Sequence, residues 1–312
     1  MKLTSPTDAE NIAGITGGDY RGPDNLTISG INEIHKVEEG DLTFVDAPKY
    51  YDKVLNSPAT LILINQEKEP PEGKGIIICD DPFSAYNKIV ENYRPSSTLP
   101  EGAYTSSNET DIDPSALIYP GVIIGNRVSI GKNSIIHPNV VIYDNAYIGE
   151  NVTIHANCTI GADAFYFKKR DNGFEKLQSC GSVVIEDYVE IGANSCIDKG
   201  VSGKTIIGQG TIIDNQVHIG HGVELGKNCL LAGQVGIGGK TIIEDNVTIW
   251  GQVGITKDIR IAEGVELLAQ AGATSSIYEK GRYFGTPAGK ALQKHRESAT
   301  LKKLTEQMSK KQ

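Results

Sequence analysis

An aliphatic side chain recurs at every sixth position over most of this chain, and that period constrains the possible folds more than any other feature. The recurring positions run from Ile112 to Ile160, from Ile185 to Ile197 and from Ile207 to Leu267, and they number 23. A sustained six-residue period is typical of a parallel β-helix. If three repeats close one triangular coil, residues 18 apart stack about 4.8 Å apart, and seven to eight coils rise roughly 35 Å.

The positions between the aliphatics predict what fills the prism and where the coils touch. A small or β-branched residue lies four places after many of the aliphatics, and Cys158 and Cys229 hold this position, so we expect both to be core residues. Glycine follows the aliphatic at several repeats, for example Gly208 and Gly220, where the chain needs either unusual backbone angles or a close approach. Because side chains fill the narrow interior, any site is expected on the outside, between neighbouring prisms of an oligomer.

Two segments interrupt the repeat. Residues 162–184 include the aromatic and basic run from Phe165 to Arg170, and residues 200–204 form a shorter break. Loops that leave a regular scaffold commonly carry recognition. We therefore expect the longer segment to take part in binding.

The first hundred residues lack the six-residue period and predict a small α/β domain. One helix is expected from Ser5-Pro6 to Gly17, and another from Phe83 to Tyr93. The predicted strands are Leu26–Ile31, Leu42–Val45, Thr60–Ile64 and Gly75–Cys79. Prolines and serines at 95–100 mark a boundary. The expected domains are an α/β domain at 1–100, a β-helix at 101–275, and an extension with a C-terminal α-helix at 276–312.

Two aromatic residues flank a proline turn in the first domain. Phe44 and Tyr50 lie six positions apart around Pro48. Two rings that converge on a loop can hold a flat nucleobase between them, because every base offers a face for stacking. The alternative is that both rings pack into the core of their own domain.

Two histidines stand out in the repeat because packing does not require them. His218 and His221 are expected to face outward, and Gly239 lies 18 residues after His221, one coil away. A general base beside a glycine N–H, which serves as an oxyanion hole, suits acyl transfer. A plain surface histidine is the alternative. The imidazole pair alone does not predict a metal site, since no third ligand is evident.

Charge and cysteine content narrow the setting of the protein. No apolar run approaches the roughly 20 residues that span a bilayer, and the amino terminus lacks the apolar core of a signal peptide, so a cytoplasmic protein is expected. The five cysteines follow no metal-binding spacing and are expected to be free thiols. The formal charge of −9 is uneven, since residues 290–312 carry +5. This basic helical tail either caps an oligomer or binds an acidic partner.

Nearly the whole chain resembles the UDP-3-O-(3-hydroxyacyl)glucosamine N-acyltransferase family of lipid A biosynthesis. The most specific motifs are the stretch from Glu39 to Tyr50 and the stretch from Ile213 to His221. The others are Ser29-Gly30-Ile31, Gly161-Ala162-Asp163, Val189-Glu190-Ile191-Gly192-Ala193-Asn194, Ile197-Asp198-Lys199-Gly200, Gly251-Gln252-Val253-Gly254-Ile255 and Phe284-Gly285-Thr286-Pro287-Ala288.

The resemblance implies a homotrimer of left-handed parallel β-helices with active sites between subunits. It implies uracil bound between Phe44 and Tyr50, and a 3-hydroxyacyl chain delivered by acyl carrier protein, an acidic partner that would suit the basic tail. His221 is implied as the general base and the Gly239 amide as the oxyanion hole. Asn215 and His218 are implied to contact substrate. No cofactor, metal or nucleic acid is implied.

Three positions depart from the family pattern. Ala47 stands where the family usually has an asparagine, which removes an expected hydrogen bond to uracil. Asp258 aligns with the family's second active-site histidine, and a carboxylate there would repel a substrate phosphate. Trp250 replaces a family glycine and could wall off or redirect an acyl groove, or anchor an interface. These departures leave two alternatives to the N-acyltransferase: a paralogous sugar-nucleotide acyltransferase with another donor or acceptor, and a non-catalytic trimer that binds UDP-sugar or acyl carrier.

Overall fold

The computed structural model describes residues 1–94 and 110–309, which form two compact units. The first unit takes in residues 1–94 together with Asp163–Gly181 and Gly200–Gly203, and the rest of the described chain forms the second. The two interruptions of the repeat therefore belong to the first unit. The predicted boundary at 95–100 lies outside the described residues. Among the described helices, none combines the length and apolar character that crossing a membrane requires.

The first unit contains a six-stranded mixed sheet with helices. Its elements are β1 (Lys2–Asp8), α1 (Ala9–Thr16), β2 (Asp19–Arg21), β3 (Thr27–Ile31), β4 (Asp41–Val45), a 3₁₀ turn (Pro48–Tyr50), α2 (Tyr51–Leu55), β5 (Leu61–Ile64), β6 (Gly75–Ile78) and α3 (Pro82–Tyr93). The strand order is β1-β3-β4-β5-β6-β2, and the four central strands run parallel. Because both faces are covered, β5 reads Leu-Ile-Leu-Ile and is buried throughout.

The predicted start of the first helix was wrong. Residues 2–8 form a strand, and the helix begins at Ala9, where the Asp8 carboxylate accepts a hydrogen bond from the Asn11 N–H at 2.6 Å. Pro6 is tolerated in β1 because this strand lies at the sheet edge and its pairing with β3 is irregular. The helix ends as predicted, with Gly17 in the left-handed conformation.

The second unit is a parallel β-helix whose three sheets each receive one short strand per coil. Sheet I contains Asp111–Ile112, Ser129–Ile130, Ala146–Ile148, Ser182–Ile185, Lys204–Ile207, Glu224–Leu225, Ile242–Ile243 and Arg260–Ile261. Sheet II contains Leu117–Ile118, Ile135–Ile136, Thr153–Ile154, Glu190–Ile191, Ile212–Ile213, Leu230–Leu231, Thr248–Ile249, Glu266–Leu267, Arg282–Phe284 and Gly289–Lys290. Sheet III contains Ile123–Ile124, Val141–Ile142, Thr159–Ala162, Cys196–Asp198, His218–Ile219, Gly236–Ile237, Gly254–Ile255 and Gly272–Ala273.

Three further elements complete the described chain. The first interruption folds into a hairpin, Phe167–Arg170 with Gly173–Lys176, and the chain ends in a helix, Ala291–Ser309. The predicted fold class, a mainly β chain with a parallel β-helix, a small α/β part and a C-terminal helix, is confirmed. All five cysteines are free, and Cys158 and Cys229 are buried in the β-helix core, as predicted.

The stacking count of 18 holds wherever no insertion intervenes. Ile213 pairs with Leu231, and Ile219 pairs with Ile237. The corners between sheets II and III place asparagine or glutamine in the left-handed conformation, as at Gln216, where φ is 60°. The glutamines at this corner bond to one another along the axis through their side-chain amides, with Gln234 donating to Gln216 at 2.9 Å.

Candidate active site

His221 and Gly239 meet at one corner of the β-helix, as the count of 18 predicted. A methyl group placed on Gly239 would lie 2.7 Å from Nε2 of His221, so the imidazole rests directly on this glycine. His221 follows the strand His218–Ile219, and its Nδ1 atom is buried. Only glycine allows the ring to approach the next coil this closely. The corner therefore fixes the position of the Nε2 edge.

The backbone around Gly239 is held by amides on both sides of it. The Gly238 N–H donates to the Ile255 carbonyl at 2.8 Å, and the Lys240 N–H donates to the His221 carbonyl at 2.8 Å. Among the described residues, no acceptor receives the N–H of Gly239 itself. A rigid backbone N–H beside an imidazole edge is the arrangement that an oxyanion hole requires.

His218 lies against two residues that the sequence analysis did not assign. Its Nε2 is 3.8 Å from an Asp198 carboxylate oxygen, and Cys196 is its paired neighbour in sheet III. Burial, followed by the charge of Asp198, raises the pKa of the Cys196 thiol to about 11. The pairing spans 22 residues instead of 18 because the four-residue insertion Gly200–Gly203 intervenes. A count corrected for that insertion would have found both neighbours.

Asn215 lies on the corner between sheets II and III. Its side-chain oxygen accepts the Ala193 N–H at 2.7 Å, and its side-chain nitrogen donates to Asp214 at 2.9 Å. Both contacts tie it to the scaffold. It also borders a surface groove of about 530 Å³.

Trp250 forms part of the same groove. Its ring is 42% exposed, and its Nε1 donates to Glu266 at 2.8 Å. Exposed Ile212 and Leu230 give the groove an apolar floor. At its other end His155 contacts Glu190 at 3.0 Å. Both alternatives for Trp250, groove wall and interface anchor, remain open.

Asp258 lies one coil beyond Gly239, and its N–H donates to the Gly239 carbonyl at 3.0 Å. Its φ is 62°, so it occupies the left-handed corner position that Lys240 occupies one coil earlier. The residue therefore helps hold the peptide on which His221 rests. Its role toward substrate stays a prediction.

In the first unit, Phe44 and Tyr50 differ in burial. Phe44 is half-buried against two other rings, Phe83 at 6.0 Å and Tyr86 at 5.0 Å between centroids. Tyr50 is 48% exposed, with the Lys49 ammonium 4.6 Å from its ring centre. The core alternative thus describes one side of Phe44 and does not describe Tyr50.

The aromatic and basic segment contributes a cation near Phe44. Lys168 pairs with Asp46, two residues after Phe44, and its ammonium lies 5.4 Å from the Phe83 ring centre. Burial raises the pKa of Tyr166, with further contributions from Glu33, Asp46 and Tyr50. The segment that was expected to take part in binding therefore joins the aromatic cluster of the first unit.

These features define the chain as a hexapeptide-repeat acyltransferase in class. The sequence profile of the bacterial transferase hexapeptide (six repeats) matches residues 127–162 and 204–239, and the second match includes both His221 and Gly239. The profile of UDP-3-O-(3-hydroxymyristoyl) glucosamine N-acyltransferase, LpxD, matches residues 25–92 of the first unit.

The chain belongs to the UDP-3-O-acylglucosamine N-acyltransferase family. A protein of that name from Syntrophotalea carbinolica is 40% identical over 241 residues, which are 70% of this chain and 69% of that one. Another, from Christiangramia forsetii, is 40% identical over 252 residues, 73% of each chain. Among solved structures, UDP-N-acetylglucosamine acyltransferase of Francisella novicida is 28% identical with a TM-score of 0.54, covering 59% of this chain and 65% of its own.

Proposed function

We propose that this protein transfers a 3-hydroxyacyl chain from acyl carrier protein to the 2-amine of a UDP-3-O-acylglucosamine, in lipid A biosynthesis. The observation that carries the proposal is the His221 imidazole set on Gly239 in a family whose named members are N-acyltransferases. The resemblance further supports a homotrimer with active sites between its subunits, located in the cytoplasm.

The proposed reaction uses the corner geometry directly. Nε2 of His221 takes a proton from the glucosamine nitrogen as that nitrogen attacks the thioester carbonyl. A carbon–nitrogen bond forms, and the carbonyl oxygen gains negative charge that the Gly239 N–H stabilises. When the intermediate collapses, the carbon–sulfur bond breaks and the imidazolium returns its proton to the departing thiolate. The products are an amide and a free carrier thiol.

The first unit supplies the binding of the nucleotide in this proposal. Tyr50 and Phe44 enclose the uracil ring, and Asn215, His218 and Asp258 contact the sugar and phosphates in the second unit. Ala47 offers no side-chain hydrogen bond to uracil, so stacking provides a larger share of the binding free energy than an asparagine at this position would leave to it.

The direct test uses the purified full chain, UDP-3-O-acylglucosamine and a panel of acyl carrier protein thioesters of different lengths. Mass spectrometry should detect the N-acylated sugar with multiple turnovers. Turnover only with short or unhydroxylated donors would favour the paralogous acyltransferase. UDP-sugar binding without any turnover across the panel would favour the non-catalytic trimer.

Removing the Tyr50 ring should weaken nucleotide binding. Stacking of one base on an aromatic ring contributes about 1–3 kcal/mol, so Tyr50→Ala should raise the Kd for UDP about tenfold or more. Isothermal titration with UDP measures this without any acyl donor. Tyr147→Ala, which removes an equally exposed ring from sheet I, is the matched control and should leave the Kd unchanged. An unaltered Kd in Tyr50→Ala would contradict the uracil assignment.

Trp250 should limit the length of the acyl chain. If its ring walls the groove that Ile212 and Leu230 line, Trp250→Ala should move the donor preference toward longer chains, by several-fold in relative kcat/KM. Each added methylene buried there gains about 0.8 kcal/mol. Tyr278→Ala, which truncates a 73% exposed ring, serves as the control. The same donor profile in all three proteins would assign Trp250 to an interface.

A further inference from the structure

We propose that Cys196, Asp198 and His218 form a binding site for a divalent cation of the zinc class on the outer face of sheet III. The three residues offer a thiol sulfur, a carboxylate oxygen and an imidazole nitrogen, all within 4.8 Å of one another. The acyl transfer proposed above needs no metal, so this site is a separate property of the chain.

Strand geometry explains why the three side chains converge. Cys196 and Asp198 are two residues apart on one strand, so both point outward while Ile197 between them is fully buried in the core. His218 is the direct register partner of Cys196 on the next strand. The convergence depends on the Gly200–Gly203 insertion, which brings His218 into register with Cys196.

The measured separations are close to those that zinc imposes. With zinc–nitrogen and zinc–oxygen bonds of about 2.0–2.2 Å and a zinc–sulfur bond of about 2.3 Å, tetrahedral ligands lie roughly 3.4–3.6 Å apart. Here the Cys196 sulfur is 3.8 Å from one Asp198 oxygen, and the His218 Nε2 is 3.8 Å from the other. Small side-chain rotations therefore bring all three atoms to bonding distance.

The donor set selects the type of cation. Thiolate and imidazole favour zinc and similar transition metals, whereas magnesium and calcium prefer oxygen ligands. The Cys196 thiol releases its proton to solvent when the sulfur–metal bond forms, and no electron transfer takes place. Three protein ligands leave a fourth position for water, as in open zinc sites.

Burial gives the site a fixed base and an open entrance. The Asp198 side chain is 8% exposed and Cys196 is half-buried, so both are held by the scaffold. The His218 side chain is 55% exposed, so a cation can enter from solvent on that side. Since His218 lies only three residues before His221, a bound cation would place positive charge beside the proposed active corner.

Metal analysis of the full chain tests the proposal. The protein, purified without a histidine tag, is loaded with zinc chloride and dialysed against metal-free buffer, and mass spectrometry of the metal should find about one zinc per chain. Cys196→Ser and His218→Ala should each weaken zinc binding at least about tenfold in a calorimetric titration. With cobalt in place of zinc, a sulfur-to-metal charge-transfer band should appear and should be lost in Cys196→Ser.

The matched control is Cys79→Ser, because Cys79 is also a half-buried free thiol whose pKa burial raises to about 11. This variant should bind zinc like the wild type. Retention of almost no zinc by the wild type, or equal affinity in Cys196→Ser and Cys79→Ser, would overturn the site. Neither readout depends on acyl transfer, so failure of the metal site and failure of the proposed function are distinguishable.

Discussion

Replacing His221 with alanine is expected to lower kcat for acyl transfer about a thousandfold, in the range that loss of a positioned general base produces. Without the imidazole, no group at the corner removes the proton from the attacking amine. The KM for the sugar nucleotide should change little, because the nucleotide is held by other residues. Steady-state kinetics with purified variant measures both parameters.

Two further variants sharpen this result. His137→Ala removes an imidazole stacked between Tyr119 and His155 on another corner, and it should keep full activity. Gly239→Ala keeps His221 but places a methyl group 2.7 Å from its Nε2, so the ring must move and activity should fall as well. Equal turnover in His221→Ala and the wild type, with equal melting temperatures, would remove His221 from the mechanism.

The six-residue period predicted the β-helix well because every repeat restates the same constraint. Inward residues, coil stacking and the meeting of His221 with Gly239 all follow from one count, and no insertion separates those two residues. The same count missed Cys196 beside His218, because four inserted residues shift the register. It missed nothing of this kind after Ile207, where the repeat is unbroken.

Other features depend on tertiary context that a period does not contain. The strand at residues 2–8 forms by pairing with β3, which outweighs the helix signal of Ser5-Pro6. The hairpin from Phe167 to Lys176 belongs to the first unit, although the sequence places it inside the repeat. Phe44 and Tyr50 looked equivalent in sequence, yet only Phe44 is packed against neighbouring rings.

The repeat glycines also separate into two kinds that sequence alone does not distinguish. Left-handed backbone angles occur mainly at asparagine and glutamine corners, whereas glycines such as Gly208 are required by close approach. A methyl group on Gly208 would lie 2.5 Å from the carbonyl carbon of Gly226 in the next coil. Such a contact is with backbone, which cannot rotate away.

Gly208→Ala should therefore destabilise the β-helix by about 3 kcal/mol, the upper part of the range for overpacking. In a chain of this size that corresponds to a fall in melting temperature of roughly 6–12 °C. Gly254→Ala is the matched control, since a methyl group there meets no atom within 4 Å and alanine suits a strand better than glycine does. Circular dichroism melts of the two variants decide the matter. Equal melting temperatures would show that adjacent coils can separate at Gly208 without cost, and close approach would then not explain the repeat glycines.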